Sequence, residues 1–288
     1  MKWIGMLCLV LGAVVPVQAT EQGPLIVAHR GASHDRPENT VAAFEEAWEQ
    51  GSDAIEGDFF LTRDGKIVCF HDRTTKRIAG VDRRVEDQTL EELQALDVGA
   101  WKGEPYAGMR MPVLADVLAL VPEGKQVFLD IKSGPQIVQP MRAVIDQSDL
   151  TPDQIVVIAF NAEVVAETRR RIPEVQTYWL LSHRQDEQTG EWTPSLDDVL
   201  ATLRRIDAHG LSMRANAEVA TEAFVAALSE ADFEFHTWTV NDPPTAIRFA
   251  ELGVDSITTD RPAFIRNALI EAGLSPAPVD RDLLVPQD

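Results

Sequence analysis

The chain has 288 residues, 45% of them hydrophobic, with 26 Lys and Arg against 46 Asp and Glu and a formal net charge of −20. That hydrophobic content supplies a core for one large domain or two small ones. The negative charge excludes nucleic acid as the main partner and gives no long-range pull on an anionic substrate, so an anion bound here is held by local cations.

Residues 1–19 read MKWIGMLCLVLGAVVPVQA. Lys2, the apolar run behind it and Val17-Gln18-Ala19 predict a secretory signal peptide cut after Ala19. The protein is therefore expected to be exported, periplasmic or secreted. The run is short for a retained anchor and no later segment approaches spanning length, so no stable membrane insertion is expected. Cleavage leaves Cys69 as the single cysteine, which rules out an internal disulfide in the mature chain.

LIVAHRG (25–31) is the first predicted strand. PENTVAAFEEAWEQG follows as a turn and a helix, with Asn39 or Thr40 as its cap, Val41, Phe44, Ala47 and Trp48 as its apolar face and Gly51 as its stop. AIEGDFFLT (54–62) is the second strand. Alternate strand residues share a face, so Glu56 and Asp58 point the same way. Asp64-Gly65 predicts a two-residue hairpin turn, which sets His71 opposite Asp58 on that face. Asp72, its neighbour in the strand, then points away and is not expected to orient His71. Two carboxylates on one face repel, and a cation is the simplest compensation. The competing reading is an exposed edge hairpin with ordinary surface acids.

Residues 73–111 break the rhythm and predict an insertion. Regularity resumes with a helix at 113–121 and strands at 126–132, 155–160, 176–181, 207–213, 233–240 and 255–260. Helical patterns at 161–172, 195–206, 218–230 and 243–252 separate them. Eight strands alternating with helices predict an α/β fold, a (β/α)8 barrel with a small insertion after strand 2. A doubly wound open sheet is the runner-up, without a Gly-rich phosphate or dinucleotide loop to support it. The domain is expected over 20–272, with 273–288 as a surface extension.

In such barrels chemistry gathers at the C-terminal strand ends. Here the ends carry His29-Arg30, then Glu56 and Asp58 with His71 on the hairpin, Asp130-x-Lys132, Trp238-Thr239-Val240-Asn241 and Asp260. Acidic, basic and imidazole groups thus converge on one rim.

The pieces AHRGASHDRPENT, DAIEGDFFLTRDGKIVCFHD, LDIK, TWTVN and TTDRP, in that order, resemble the glycerophosphodiester phosphodiesterase family over 25–262. The resemblance implies a TIM barrel with an insertion after its second strand. It implies hydrolysis of small-molecule glycerophosphodiesters to glycerol 3-phosphate and an alcohol, with one divalent cation, calcium or magnesium. Two departures stand out. The third acid is Asp130 where many members carry Glu, a shorter reach that allows coordination through a water. The segment after the His-Asp pair reads RTTKRIAG without the Leu found in many members.

Phosphodiester cleavage needs charge neutralisation, an in-line nucleophile and a proton for the leaving oxygen. Glu56, Asp58 and Asp130 are the metal candidates, since oxygen ligands suit a hard cation. Their alternative is an ion-pair network in the barrel mouth. His29 and His71 are the acid and base candidates, with the assignment between them open. Arg30 and Lys132 are the phosphate-binding cations, and Trp238 is an apolar wall for the glycerol or head group. Two rivals remain: a sphingomyelinase D-like or phospholipase D-like enzyme that forms a cyclic phosphate, and a phosphodiester-binding protein without turnover.

Overall fold

The computed structural model describes residues 23–274 and 276. The signal-peptide reading of 1–19 and nearly all of the predicted tail extension lie outside the described residues.

Eight strands form one closed parallel sheet: β1 (Leu25–His29), β2 (Ala54–Leu61), β3 (Gln126–Ile131), β4 (Ile155–Ala159), β5 (Gln176–Leu181), β6 (Gly210–Arg214), β7 (Glu234–Trp238) and β8 (Ser256–Thr259). Each pairs with its sequence neighbour, and β1 pairs with both β2 and β8, which closes the barrel. A helix follows each strand; between β2 and β3 this is Leu114–Leu118 and after β8 it is Pro262–Glu271. The sheet is buried on both faces, which is why its strands read as nearly unbroken apolar runs.

Alternation within the strands sorts two cores. Ile26, Ile55, Phe59, Leu129 and Val157 point outward and pack with helix residues such as Phe44 and Phe249. Val27, Ala54, Phe128, Val156 and Tyr178 fill the barrel interior. His29, Glu56, Asp58 and Asp130 fall on the inward parity of their strands, so the pleat itself aims them into the mouth. At the opposite end, buried Asp53 accepts from Ile26 N at 2.9 Å, pairs with Arg266 and lies 3.5 Å from Lys125 Nζ. That ion cluster ties β1, β2 and the last helix together.

The helix Val41–Glu49 is capped by Thr40, whose Oγ1 accepts from Ala43 N. Asn39, the alternative cap, adopts φ 58° and turns its side chain to the site instead.

The hairpin differs from its predicted register by one residue. The return strand Ile67–Cys69 pairs Phe59 with Cys69 and Leu61 with Ile67, so Asp58 faces Phe70 rather than His71. The cause is the turn. Thr62 and Lys66 close it through Thr62 N to Lys66 O at 2.8 Å, leaving Arg63-Asp64-Gly65 as a three-residue loop with Gly65 at φ 76°. Ladder pairing ends at Cys69, and the chain leaves the strand before His71.

From there to β3 the chain forms short helices, among them Lys76–Ala79 and Leu90–Gln94, around an apolar cluster of its own that includes Phe60, Val68, Phe70, Leu93 and Met111. Thr89 and Glu92 build a reciprocal cap at the start of the second of these helices.

Candidate active site

His29 ends β1 and Asp260 follows β8. Barrel closure makes these strands neighbours, and His29 Nδ1 lies 2.6 Å from Asp260 Oδ1. Asp260 is itself held by Ser33 Oγ at 3.0 Å and by Asn241 Nδ2 at 2.5 Å. Burial opposes the imidazolium, but the Asp260 hydrogen bond and the nearby charge of Glu56 outweigh it and raise the His29 pKa. Asp260, although partly desolvated, is drawn down to about 2 by the same pairing.

Glu56, Asp58 and Asp130 are all buried, and one oxygen from each lies within 4.8 Å of the others. β2 and β3 run in register with Asp58 beside Asp130, which sets the third acid next to the second. Burial and then the charge of Asp58 push Glu56 up to about 8. Burial also raises Asp130. Asp58 goes the other way: despite its burial, Lys132 and Arg30 hold it well below the usual carboxylate range. Asp130 Oδ1 is buried without a hydrogen-bond donor. Three converging buried acids, one of them with an orphaned oxygen, fit a hard divalent cation with oxygen ligands.

Asn39 clamps the central acid. Its Nδ2 donates to Asp58 Oδ2 at 2.7 Å, and its Oδ1 accepts from Asp58 N at 3.1 Å and from the Cys69 thiol at 3.1 Å. Burial raises that thiol far above its ordinary value, so it stays protonated as a donor.

His71 lies on the hairpin side of the mouth and shares the cavity wall with Lys132. Its Nδ1 lies 2.7 Å from Asp72 Oδ1. The expectation that Asp72 points away is overturned, because the pair sits beyond the strand, where alternation no longer applies. Asp72 is fixed in turn by Arg77 at 2.7 Å, and Arg77 also donates to Glu38. Both imidazoles thus carry a carboxylate on Nδ1, which leaves Nε2 of each as the free edge.

The predicted phosphate cations both touch the acids. Lys132 Nζ lies 2.8 Å from Asp58 Oδ1 and also pairs with Asp130. Arg30 Nε lies 3.2 Å from Asp58 Oδ2, its Nη1 donates to Glu38 at 3.0 Å, and its backbone N donates to Glu56 Oε2 at 2.8 Å. Arg30 holds φ 57°, a costly backbone for a long side chain, and that geometry delivers the N–H to Glu56. Trp238 ends β7, donates from Nε1 to Ser212 O at 3.1 Å and meets Phe160 edge-on at 5.5 Å. A cavity of about 730 Å3 opens from His71 and Lys132 toward Phe160 on one side and Arg73, Arg84 and Glu86 of the insertion on the other.

The structure therefore brings all eight predicted site residues to one mouth. Sequence reasoning placed Asp260 on the rim without a role, read Asn39 as a candidate helix cap, discounted Asp72 and did not single out Arg77. For Asp260 a signal existed: in a closed barrel the first strand borders the last, so the residues ending β1 and β8 meet.

The glycerophosphoryl diester phosphodiesterase family model matches residues 29–264. A glycerophosphodiester phosphodiesterase of Caldanaerobacter subterraneus subsp. tengcongensis is 32% identical over 256 residues, covering 86% of this chain and 99% of its own. Among solved structures, an Oleispira antarctica phosphodiesterase in complex with the product sn-glycerol-3-phosphate superposes with a TM-score of 0.75 at 25% identity, covering 86% of this chain and 97% of its own. A structure from Silicibacter pomeroyi DSS-3 superposes with a TM-score of 0.78 at 26% identity, covering 90% and 97%. The fold, the site and these matches agree, and the chain belongs to the glycerophosphoryl diester phosphodiesterase family.

Proposed function

We propose that this enzyme hydrolyses glycerophosphodiesters to sn-glycerol 3-phosphate and an alcohol, with His29 and His71 as its proton-transfer groups and Glu56, Asp58 and Asp130 as the ligands of one divalent cation, calcium or magnesium. The observation that carries the reading is the presence of two carboxylate-backed imidazoles at the barrel mouth that holds three buried acids. The cation supplies charge neutralisation at the phosphate when bound.

His29 arrives from β1 and His71 from beyond the hairpin, and in this reading the two imidazoles take opposite sides of the phosphorus. In-line displacement needs that arrangement, a base at the entering oxygen and an acid at the leaving one. Asp260 and Asp72 fix the tautomers and stabilise each imidazolium as it forms. Lys132 and Arg30 supply the positive charge that the acidic chain lacks overall, and Arg suits the fork geometry of phosphate oxygens. Trp238 and Phe160 provide an apolar wall for the carbon skeleton.

The product complex of the Oleispira relative supports a glycerol 3-phosphate product. The export expectation for residues 1–19 is compatible with a small soluble diester as substrate. The test is glycerol 3-phosphate release from glycerophosphocholine and glycerophosphoethanolamine in EDTA, then with added calcium or magnesium, beside His29→Ala. Metal-dependent release abolished by the mutation is the expected result. Absence of release with either metal, or a cyclic phosphate by phosphorus NMR, would overturn it.

A further inference from the structure

The cavity beyond His71 is larger than the phosphate site requires. Its volume of about 730 Å3 is on the scale that takes a whole small ligand. The insertion supplies much of its charged wall, in the form of Arg73, Arg84 and Glu86. The charges there are not balanced. Arg84 Nη2 lies 2.9 Å from Glu86 Oε2, and the other oxygen of Glu86 accepts from Ser133 Oγ at 2.9 Å. Asp72 is taken by His71 and Arg77. Lys132 is taken by Asp58 and Asp130. Arg73 alone on this wall has no side-chain ion pair or hydrogen bond among the described residues. Its backbone is fixed, since its carbonyl accepts from Val85 N at 3.0 Å and Thr74 bridges Arg84. The guanidinium is therefore presented from a held position, two residues from His71. Across the cavity, Asn161 spends its Oδ1 on Glu163 N and leaves its amide hydrogens for another acceptor.

We infer that this cavity receives the leaving alcohol and that Arg73 selects alcohols carrying a negative charge, a carboxylate or a second phosphate. The inference rests on the phosphodiesterase reading above and adds a substrate class to it. The physical ground is local: the chain as a whole repels anions, and one exposed guanidinium without an ion pair, with an amide donor across the cavity, gives one wall the opposite sign. Arg suits both candidate groups through paired N–H donors.

A matched series tests it: sn-glycerol 3-phosphate diesters of a three-carbon alcohol ending in carboxylate, phosphate, hydroxyl or ammonium. Wild type is expected to show a kcat/KM about fivefold higher for the anionic ends than for the hydroxyl end, the scale of one partly exposed ion pair. Arg73→Gln brings that ratio close to one, Arg73→Lys retains part of it, and Glu86→Gln, which leaves Arg84 only the longer 3.8 Å contact with Asp87, raises it. The carboxylate and phosphate arms separate the two sources of charge. A wild-type ratio of one or below, or a ratio that Arg73→Gln leaves intact, overturns the subsite while the activity reading stands. If wild type releases glycerol 3-phosphate from none of the diesters, the activity reading fails instead. Calorimetric binding of the carboxylate and hydroxyl diesters to wild type and Arg73→Gln then decides the subsite by the same ratio.

Discussion

His29 Nδ1 and Asp260 Oδ1 lie 2.6 Å apart although 231 positions separate them in the chain. The contact exists because β1 and β8 close the barrel, so the edges of the sequence meet at the centre of the site. Asp260→Asn keeps the shape and removes the charge. The expected result is a fall in kcat of about 10- to 100-fold, at or below the low end of what a direct acid–base group contributes, because Asp260 acts through His29. Asp260 also raises the His29 pKa, so the limb of the pH–kcat/KM profile that reports His29 should move to lower pH. An unmoved limb would assign Asp260 a purely structural part.

Glu56 gives a sign that can be checked without turnover. Its carboxyl is pushed up to about 8, far above the unfolded value of about 4.5. Between those values the metal-free folded state holds a proton that the unfolded state has lost. This contribution to stability is fully present below the unfolded pKa and disappears as pH rises through the folded one. In EDTA, Tm should therefore fall from about pH 5 to pH 8. Calcium or magnesium should flatten that slope, and calorimetry at pH 7 should record proton release on metal binding. A Tm that does not depend on pH in EDTA would contradict the raised carboxyl.

Asn39→Ala removes both hydrogen bonds that hold Asp58 and the acceptor of the Cys69 thiol. Leaving the buried Asp58 N–H unpaired costs on the order of 1–3 kcal/mol. Urea unfolding should report that loss, and metal titration should report weaker binding in the same variant. Unchanged metal affinity would show that Asp58 needs no clamp.

Asp53→Ala acts at the far end of the barrel. It removes one ion pair of Arg266, the 3.5 Å contact of Lys125 and the acceptor from Ile26 N. Removing one member of a buried ion cluster costs roughly 3–5 kcal/mol. Tm should drop while KM of the surviving folded enzyme stays near wild type. A selective change in KM would mean that the floor communicates with the mouth.

The eight strands were legible because a parallel sheet buried on both faces writes itself as short apolar runs between helices. The inward parity of Glu56 and Asp58 followed from alternation alone. Asp64-Gly65 misled the register, since the dipeptide fits a two-residue turn but here closes a three-residue loop. There Asp64 Oδ1 accepts from Thr62 Oγ1 and Leu90 N at 2.7 and 3.0 Å. The Leu90 bond spans 26 residues, and local turn chemistry cannot foresee it. His71 still reached the site, because the chain leaves the ladder after Cys69. The pairing of His71 with Asp72 was hidden for the same reason. The predicted barrel closure already implied the meeting of His29 and Asp260, whereas Asn39 needed a left-handed backbone set by tertiary contacts.

Phe59 and Phe60 are neighbours in β2 with opposite destinations: Phe59 packs toward the barrel helices and Phe60 toward the insertion cluster. β2 is thus a party wall between two apolar rooms. The buried acids Glu56, Asp58 and Asp130 hang on the barrel's frame, whereas Arg73, Arg84 and Glu86 furnish the annex. An annex with its own foundation can be refitted residue by residue while the frame keeps its alignment. Substitutions at Arg73, Arg84 or Glu86 should therefore leave the packing of the barrel core unchanged.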